Sequence, residues 1–144
     1  AETGVTVRLS GLSSLSGSSY YRFTGQTSTH PDNHYGTLGT NTNVALMAND
    51  FYNQFKATLG INDMSLNLGG LFDICGTWRV EDTCVNAPNG GHRSHRVGTS
   101  VDIDGTAVGT KGTEKVDKIR VGNICNKYGG TLANEGPIHC GFPN

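Results

Sequence analysis

The strongest constraint on the fold is a helical apolar pattern over residues 43–59. The apolar residues of this segment follow one another at steps of three or four and therefore share one helix face: Val44, Met47, Phe51, Phe55 and Leu59. Thr42 or Asn43 is suited to cap the start of this helix, and Gly60 is suited to end it. A helix with one apolar face must bury that face against another element, so we expect a layered fold.

The other elements are a second helix and several short strands. Residues 113–128 are expected to form the second helix, ended by Gly129-Gly130, with four side chains turned inward: Val116, Ile119, Ile124 and Tyr128. Strand patterns are found at residues 5–12, 19–24, 64–75 (with Gly69-Gly70 as a turn or bulge), 98–104 and 137–142. Residues 25–41 and 80–93 are expected to be loops. The order of these elements predicts an α+β fold, with a small central antiparallel sheet, two main helices and long loops.

Length and charge exclude some classes of protein. The chain has 144 residues, and we expect one domain over residues 5–144. Residues 1–4 are interpreted as a mature terminus or a cloning remnant. The net charge is −1 and no basic stripe is present, so nucleic-acid binding is not expected. No apolar run has the roughly 18–20 residues that a membrane span needs, and we expect a monomer.

The four cysteines indicate disulfides. Their number is even and no C-x-x-C motif occurs, which argues against a four-cysteine zinc site. Of the three possible pairings, we favour Cys75–Cys84 with Cys125–Cys140; the alternative is four reduced, buried thiols. Disulfides would place the protein in an oxidising, extracytoplasmic compartment: secreted, periplasmic or at the cell surface.

A histidine and an aspartate near the middle of the chain are candidate metal ligands. If His95 ends a loop and Asp102 lies on the next strand, a turn at Gly98 can bring both side chains to one point. Imidazole and carboxylate are both common ligands of Zn²⁺. His139, on the last strand, is our choice for the third ligand. Three protein ligands leave one coordination position open, which is typical of a catalytic zinc site.

The residues around these ligands resemble a known family. The segment Ser94-His95-x-x-Gly98-x-Ser100-x-Asp102 resembles the metal segment of the D-alanyl-D-alanine zinc peptidases, a group of DD-carboxypeptidases, dipeptidases and endolysins that shares its metal site with the hedgehog signalling domain. Two further segments add to the resemblance: Cys75-Gly76-Thr77-Trp78-Arg79, and Ile138-His139-Cys140, which is closest to the hedgehog domain. The resemblance covers roughly residues 42–144.

The resemblance implies roles for specific residues. His95, Asp102 and His139 match the ligands of a single Zn²⁺. Arg79 matches the arginine that holds substrate and stabilises the developing oxyanion; without the resemblance, a surface salt bridge is the alternative. The family places its catalytic base shortly before the last histidine, usually by three residues. Glu135 is the nearest acid here, four residues ahead, and is our choice for the base.

Four further residues are candidates for lining the site. His92 is interpreted as a substitute for His95, as a residue that orients water, or as a residue at the rim. Asp104 is expected on the same strand face as Asp102, where it either accepts a hydrogen bond from a ligand histidine or faces solvent. His34 lies in a polar loop that either covers the substrate cleft or forms a plain turn. Trp78 is expected in the core or in the cleft wall.

These observations predict a zinc metallopeptidase that hydrolyses peptide or amide bonds, with a cell-wall peptide (muropeptide) as the substrate class that the resemblance implies. The first alternative is a non-catalytic, hedgehog-like zinc module that binds a protein or glycan partner. The second is a disulfide-bonded binding domain without metal.

Overall fold

The computed structural model describes residues 12–26, 32–67, 69, 95–104, 114–133 and 138–143. Within these ranges the strands are β1 (Leu12–Ser14), β2 (Tyr21–Phe23), β3 (Tyr35–Thr37), β4 (Leu59–Ile61), β5 (Ser100–Asp104), β6 (Thr131–Ala133) and β7 (Ile138–Gly141). The helices are α1 (Leu38–Phe55) and α2 (Glu114–Lys127), and a short 3₁₀ helix covers His95–Val97.

Five of these strands form the main sheet, in the order β2-β4-β5-β7-β6. Neighbouring strands are antiparallel except for β2 and β4, which are parallel. A separate two-stranded antiparallel sheet joins β1 to β3. The predicted α+β class with a small, mostly antiparallel sheet is confirmed, and the parallel β2–β4 pair is the one exception among the pairs of the main sheet in the described residues.

Helix α1 differs from its prediction at both ends. It begins at Leu38 because Thr37 is the N-cap, and the Thr37 side chain accepts a hydrogen bond from the Thr40 N–H at 3.1 Å. It ends at Phe55 because Lys56 adopts a left-handed conformation with φ of 53°. The predicted caps at Thr42 or Asn43 and at Gly60 are therefore wrong, and Leu59 belongs to β4.

Helix α2 lies close to its predicted bounds, and Gly129 follows it with a positive φ of 80°. Val121 and Ile124 are buried, but Ile119 is 56% exposed, so its predicted inward position is wrong. Val121, Ile124 and Cys125 form the buried apolar face of α2, and Ile119 lies outside this narrow face.

The short strands were predicted less accurately than the helices. Strands β2, β5 and β7 lie inside predicted strand segments. Strand β3 lies within the predicted loop over residues 25–41, and β6 was not predicted. Strand β4 was not predicted. Of the predicted strand over 64–75, the described residues 64–67 and 69 show a single bridge from Ser65 to Tyr35, and the rest of that segment lies outside the described residues. Most of the predicted strand over 5–12 lies outside the described residues.

Both helices pack on the main sheet, and α1 also contacts α2. Among the described residues, the largest fully buried apolar side chains come from α1, α2, β4, β5 and the segment just after β4: Phe51, Met47, Leu59, Ile61, Met64, Ile103, Val44, Val101 and Val121. Neither helix has the length and apolar character needed to cross a membrane, within the part of the chain that the structure describes.

A disulfide ties the last strand to the second helix. Cys125 on α2 and Cys140 on β7 are bonded, which confirms one of the two predicted pairs. The other predicted pair, Cys75–Cys84, lies outside the described residues. Both bonded cysteines are fully buried, and a Cβ at Gly130 would meet both sulfur atoms, so the bond is enclosed by the chain.

Removing this disulfide is expected to destabilise the protein substantially. The bond joins residues 15 apart. A cross-link over a loop of that length restricts the unfolded chain and thereby raises the unfolding free energy by about 3 kcal/mol. We expect the double variant Cys125→Ala/Cys140→Ala to lose about that amount of unfolding free energy in urea titrations. An unchanged urea midpoint in the double variant would contradict this.

Candidate metal centre

Two of the predicted ligands are cross-strand neighbours. Asp102 on β5 and His139 on β7 are directly opposite each other in the antiparallel register. Cys140 points towards α2, where it is bonded to Cys125. Because successive side chains of a strand point to opposite faces, His139 and its partner Asp102 lie on the sheet face away from α2.

A tight turn before β5 positions the third candidate ligand, His95. His95 begins the 3₁₀ helix, and the Gly98 N–H donates to the His95 carbonyl at 3.0 Å. Gly98 has a positive φ of 75°, which glycine adopts without strain. The Gly98 carbonyl accepts a hydrogen bond from the Thr37 N–H at 2.9 Å, and a Cβ at Gly98 would collide with Leu12. The turn is therefore anchored against β3, and His95 is held next to Asp102.

One carboxylate oxygen lies between the two imidazole rings. The Nδ1 atom of His139 lies 2.8 Å from Oδ1 of Asp102, and Nε2 of His95 lies 3.3 Å from the same oxygen. The two rings are perpendicular, with centroids 4.9 Å apart. One ligand atom from each residue lies within 4.8 Å of the other two. Ligands at about 2.0–2.2 Å from a tetrahedral Zn²⁺ lie roughly 3.3 Å from one another, so these separations are of the size that a metal centre requires.

All three side chains are buried. His95 is 0% exposed, Asp102 is 2% exposed and His139 is 6% exposed. Burying a carboxylate is costly unless it has a charged or hydrogen-bonding partner. Two nitrogen donors and one oxygen donor in a shielded position form a set that could hold a metal ion. The predicted convergence of these residues is confirmed.

The donor types limit which ion fits. Ca²⁺ and Mg²⁺ prefer oxygen ligands, with six to eight around calcium and an octahedron around magnesium. Two imidazoles and one carboxylate instead suit a transition metal or Zn²⁺. The residues present therefore fit the zinc ion that the sequence predicted.

The two other predicted site residues in the described ranges have different contacts. The ring nitrogen Nε2 of His34 lies 2.7 Å from the Ile61 carbonyl, and its ring lies 4.4 Å from that of Phe23. Burial lowers the pKa of His34 below its usual value, and the hydrogen bond to Ile61 opposes this in part. Asp104 accepts a hydrogen bond from the Asn62 side chain at 3.1 Å. Neither residue belongs to the three that converge.

The remaining predicted site residues, Arg79, Glu135, His92 and Trp78, lie outside the described residues. Conversely, the contact of residues 62–63 with the segment that carries Asp102 was not predicted from the sequence. Asn62 donates its N–H to the Asp102 carbonyl at 2.8 Å, and the Asp102 N–H donates to the Asp63 carbonyl at 2.7 Å. The only available signal was the polar pair Asn62-Asp63 directly after an apolar strand, which is typical of a turn or bulge.

Comparisons with known proteins add no further assignment: no family model matches this chain, and no curated protein matches it. The fold and the site therefore define the class of the protein, which is an α+β protein with a buried His-Asp-His candidate metal centre.

Proposed function

We propose that this protein is a zinc-dependent hydrolase of peptide or amide bonds, with cell-wall peptides as its substrate class. The observation that carries the proposal is the convergence of His95, Asp102 and His139, which supply three ligand atoms at one buried point. Three protein ligands rather than four are typical of catalytic zinc sites, because one position is left for water or substrate. The substrate class rests on the sequence resemblance to the D-alanyl-D-alanine zinc peptidases.

Bound zinc would supply Lewis acidity, polarising a carbonyl group and allowing water to ionise near neutral pH. Glu135 would accept the proton of the attacking water and pass it to the leaving amine. Arg79 would hold the substrate and stabilise the negative charge that develops on the carbonyl oxygen, since a guanidinium stays charged and presents a rigid fork of donors. The role of Arg79 comes from the sequence match at its position, whereas Glu135 is chosen because it is the nearest acid before His139.

The Cys125–Cys140 disulfide supports an extracytoplasmic location for this activity. Such bonds persist in oxidising compartments and are rare where thiols are kept reduced. A hydrolase of cell-wall peptides would meet its substrate in such a compartment.

Two measurements test the proposal together. Metal analysis of the purified protein is expected to give one zinc per chain. Incubation with muropeptides is expected to release a new amine, detected by mass spectrometry, and a chelator is expected to stop the release until zinc is restored. A metal-free protein, or hydrolysis that the chelator leaves unchanged, would overturn the proposal.

A hedgehog-like binding module without catalysis is the second candidate. Two features of the sequence favour it: Glu135 is one residue farther from His139 than the peptidase pattern requires, and Ile138-His139-Cys140 is closest to the hedgehog domain. One zinc per chain with no hydrolysis of any muropeptide would support this candidate over the hydrolase.

A further inference from the structure

The pairing of β4 with β5 becomes irregular opposite a candidate ligand. Regular pairing reaches Ile61 opposite Ile103. After this point Asn62 donates its N–H to the Asp102 carbonyl at 2.8 Å, while the Asp102 N–H donates to the Asp63 carbonyl at 2.7 Å. Two residues of one chain segment therefore oppose a single residue of β5, which defines a β-bulge. Bulges occur next to active sites, where they redirect a side chain.

The bulge is held from its other side by a segment near β3. The side-chain amide of Asn33 donates from Nδ2 to Oδ1 of Asp63 at 2.8 Å, and the Asn33 carbonyl accepts from the Met64 N–H at 2.9 Å. Tyr35 and Ser65 then exchange backbone hydrogen bonds of 3.1 and 2.9 Å. Asn33 is fully buried and Asp63 is half-buried, so their hydrogen bond is shielded from water on the Asn33 side.

We propose that Asn33 and Asp63 are positioning residues for Asp102. Their side-chain hydrogen bond fixes the bulge, and the bulge fixes the backbone of Asp102 on the side opposite His139. Ligands must be held within about 0.5 Å of productive geometry, so a residue that sets the backbone of a ligand also sets the metal affinity. The effect on affinity rests on the proposed metal centre, whereas the effect on the backbone does not.

The first test compares two substitutions at one position. Asp63→Ala removes the acceptor for Asn33, whereas Asp63→Asn retains a side-chain oxygen that can accept the same hydrogen bond. We expect Asp63→Ala to weaken zinc binding about tenfold, at the lower end of the effect of losing a supporting residue around a metal site. Asp63→Asn should bind zinc as the wild type does, and Asn33→Ala should behave like Asp63→Ala. Competition with a chromophoric chelator measures these affinities.

A control variant separates positioning from general stability. Asp50 on α1 accepts hydrogen bonds from the Lys127 side chain at 2.7 Å and from the Tyr128 hydroxyl at 3.3 Å, so Asp50→Ala loosens the contact between the helices. The apparent zinc affinity is proportional to the fraction of protein that is folded, so general destabilisation hardly changes it while the protein stays mostly folded. Asp50→Ala is therefore expected to lower the melting temperature and leave zinc affinity unchanged.

A second readout needs no metal. Hydrogen exchange is measured in the metal-free protein at the Asp102 amide, which donates to the Asp63 carbonyl in the bulge. The Phe142 amide, which donates to the Thr99 carbonyl at 2.7 Å, is the reference. We expect faster exchange at Asp102, but not at Phe142, in Asp63→Ala and Asn33→Ala, with wild-type exchange in Asp63→Asn. Equal exchange at Asp102 in all variants would overturn the proposal. If the wild type binds no zinc, the proposed function fails, and the exchange data still decide whether the bulge positions Asp102.

Discussion

Replacing Asp102 with alanine is expected to abolish zinc binding. Oδ1 of Asp102 is the atom that both imidazoles approach, at 2.8 Å from His139 and 3.3 Å from His95. Without it, two neutral nitrogen ligands remain, which are too few for a stable zinc site. The wild type should gain about 4 kcal/mol of unfolding free energy when free zinc is a thousand times the dissociation constant, and Asp102→Ala should gain none. Thermal unfolding with and without zinc measures the difference.

Asp104→Asn is the matched control for this experiment. Asp104 lies on the same strand, two residues beyond Asp102, and its carboxylate accepts from Asn62 rather than from a candidate ligand. The zinc-dependent increase in melting temperature should persist in this variant. One zinc per chain in purified Asp102→Ala would show that the ion binds elsewhere, and both the candidate centre and the proposed function would then fail.

The second large effect is expected at Glu135. Gln has almost the same shape as Glu but cannot accept a proton at neutral pH, so Glu135→Gln should lose general-base catalysis, a factor of about 10²–10⁴ in turnover. Zinc content should be unchanged, because Glu135 is not among the three proposed ligands. Muropeptide turnover and metal content are measured on the same preparation, so that loss of turnover is not confused with loss of zinc.

Asp50→Asn is a suitable control for the change of charge, since Asp50 contacts Lys127 and Tyr128 between the helices and none of the three candidate ligands. It should keep wild-type turnover. Retained turnover in zinc-loaded Glu135→Gln would refute the role of Glu135 as base. Loss of zinc in the same variant would instead make Glu135 part of the metal site, which is a different role from the one proposed.

The candidate ligands were predictable from the sequence because imidazole and carboxylate are common zinc ligands and because the segments around them resemble those of the D-alanyl-D-alanine zinc peptidases; the spacing of one histidine and one aspartate alone is weak evidence. His95, Gly98 and Asp102 lie within eight consecutive residues, and the positive φ of 75° at Gly98 explains why glycine is suited to the turn between them. His139 was chosen from its place near the end of the chain, 37 residues beyond Asp102. Only the antiparallel register of β5 and β7 places those two side chains opposite each other.

The positioning residues could not be predicted in the same way. Asn33 and Asp63 are 30 residues apart, and polar side chains of this kind are typical of turns anywhere in a protein. Their relation to Asp102 depends on a β-bulge between residues 62–63 and β5, to which the segment around Asn33 is hydrogen-bonded. No local pattern in any one of those segments indicates that pairing.

By itself, the sequence determined the two helices and the α+β class; it favoured the Cys125–Cys140 pair among three possible pairings, and the family resemblance indicated the three candidate ligands. Helical periodicity and residue chemistry are local properties, so both can be read from the amino-acid sequence without the structure. The tertiary structure alone decided the ends of α1, the parallel pairing of β2 with β4, the strands β3 and β6, and the bulge beside Asp102. These features depend on hydrogen bonds and packing between residues far apart in the chain, where the gain from the contact must exceed the entropy lost in closing the loop.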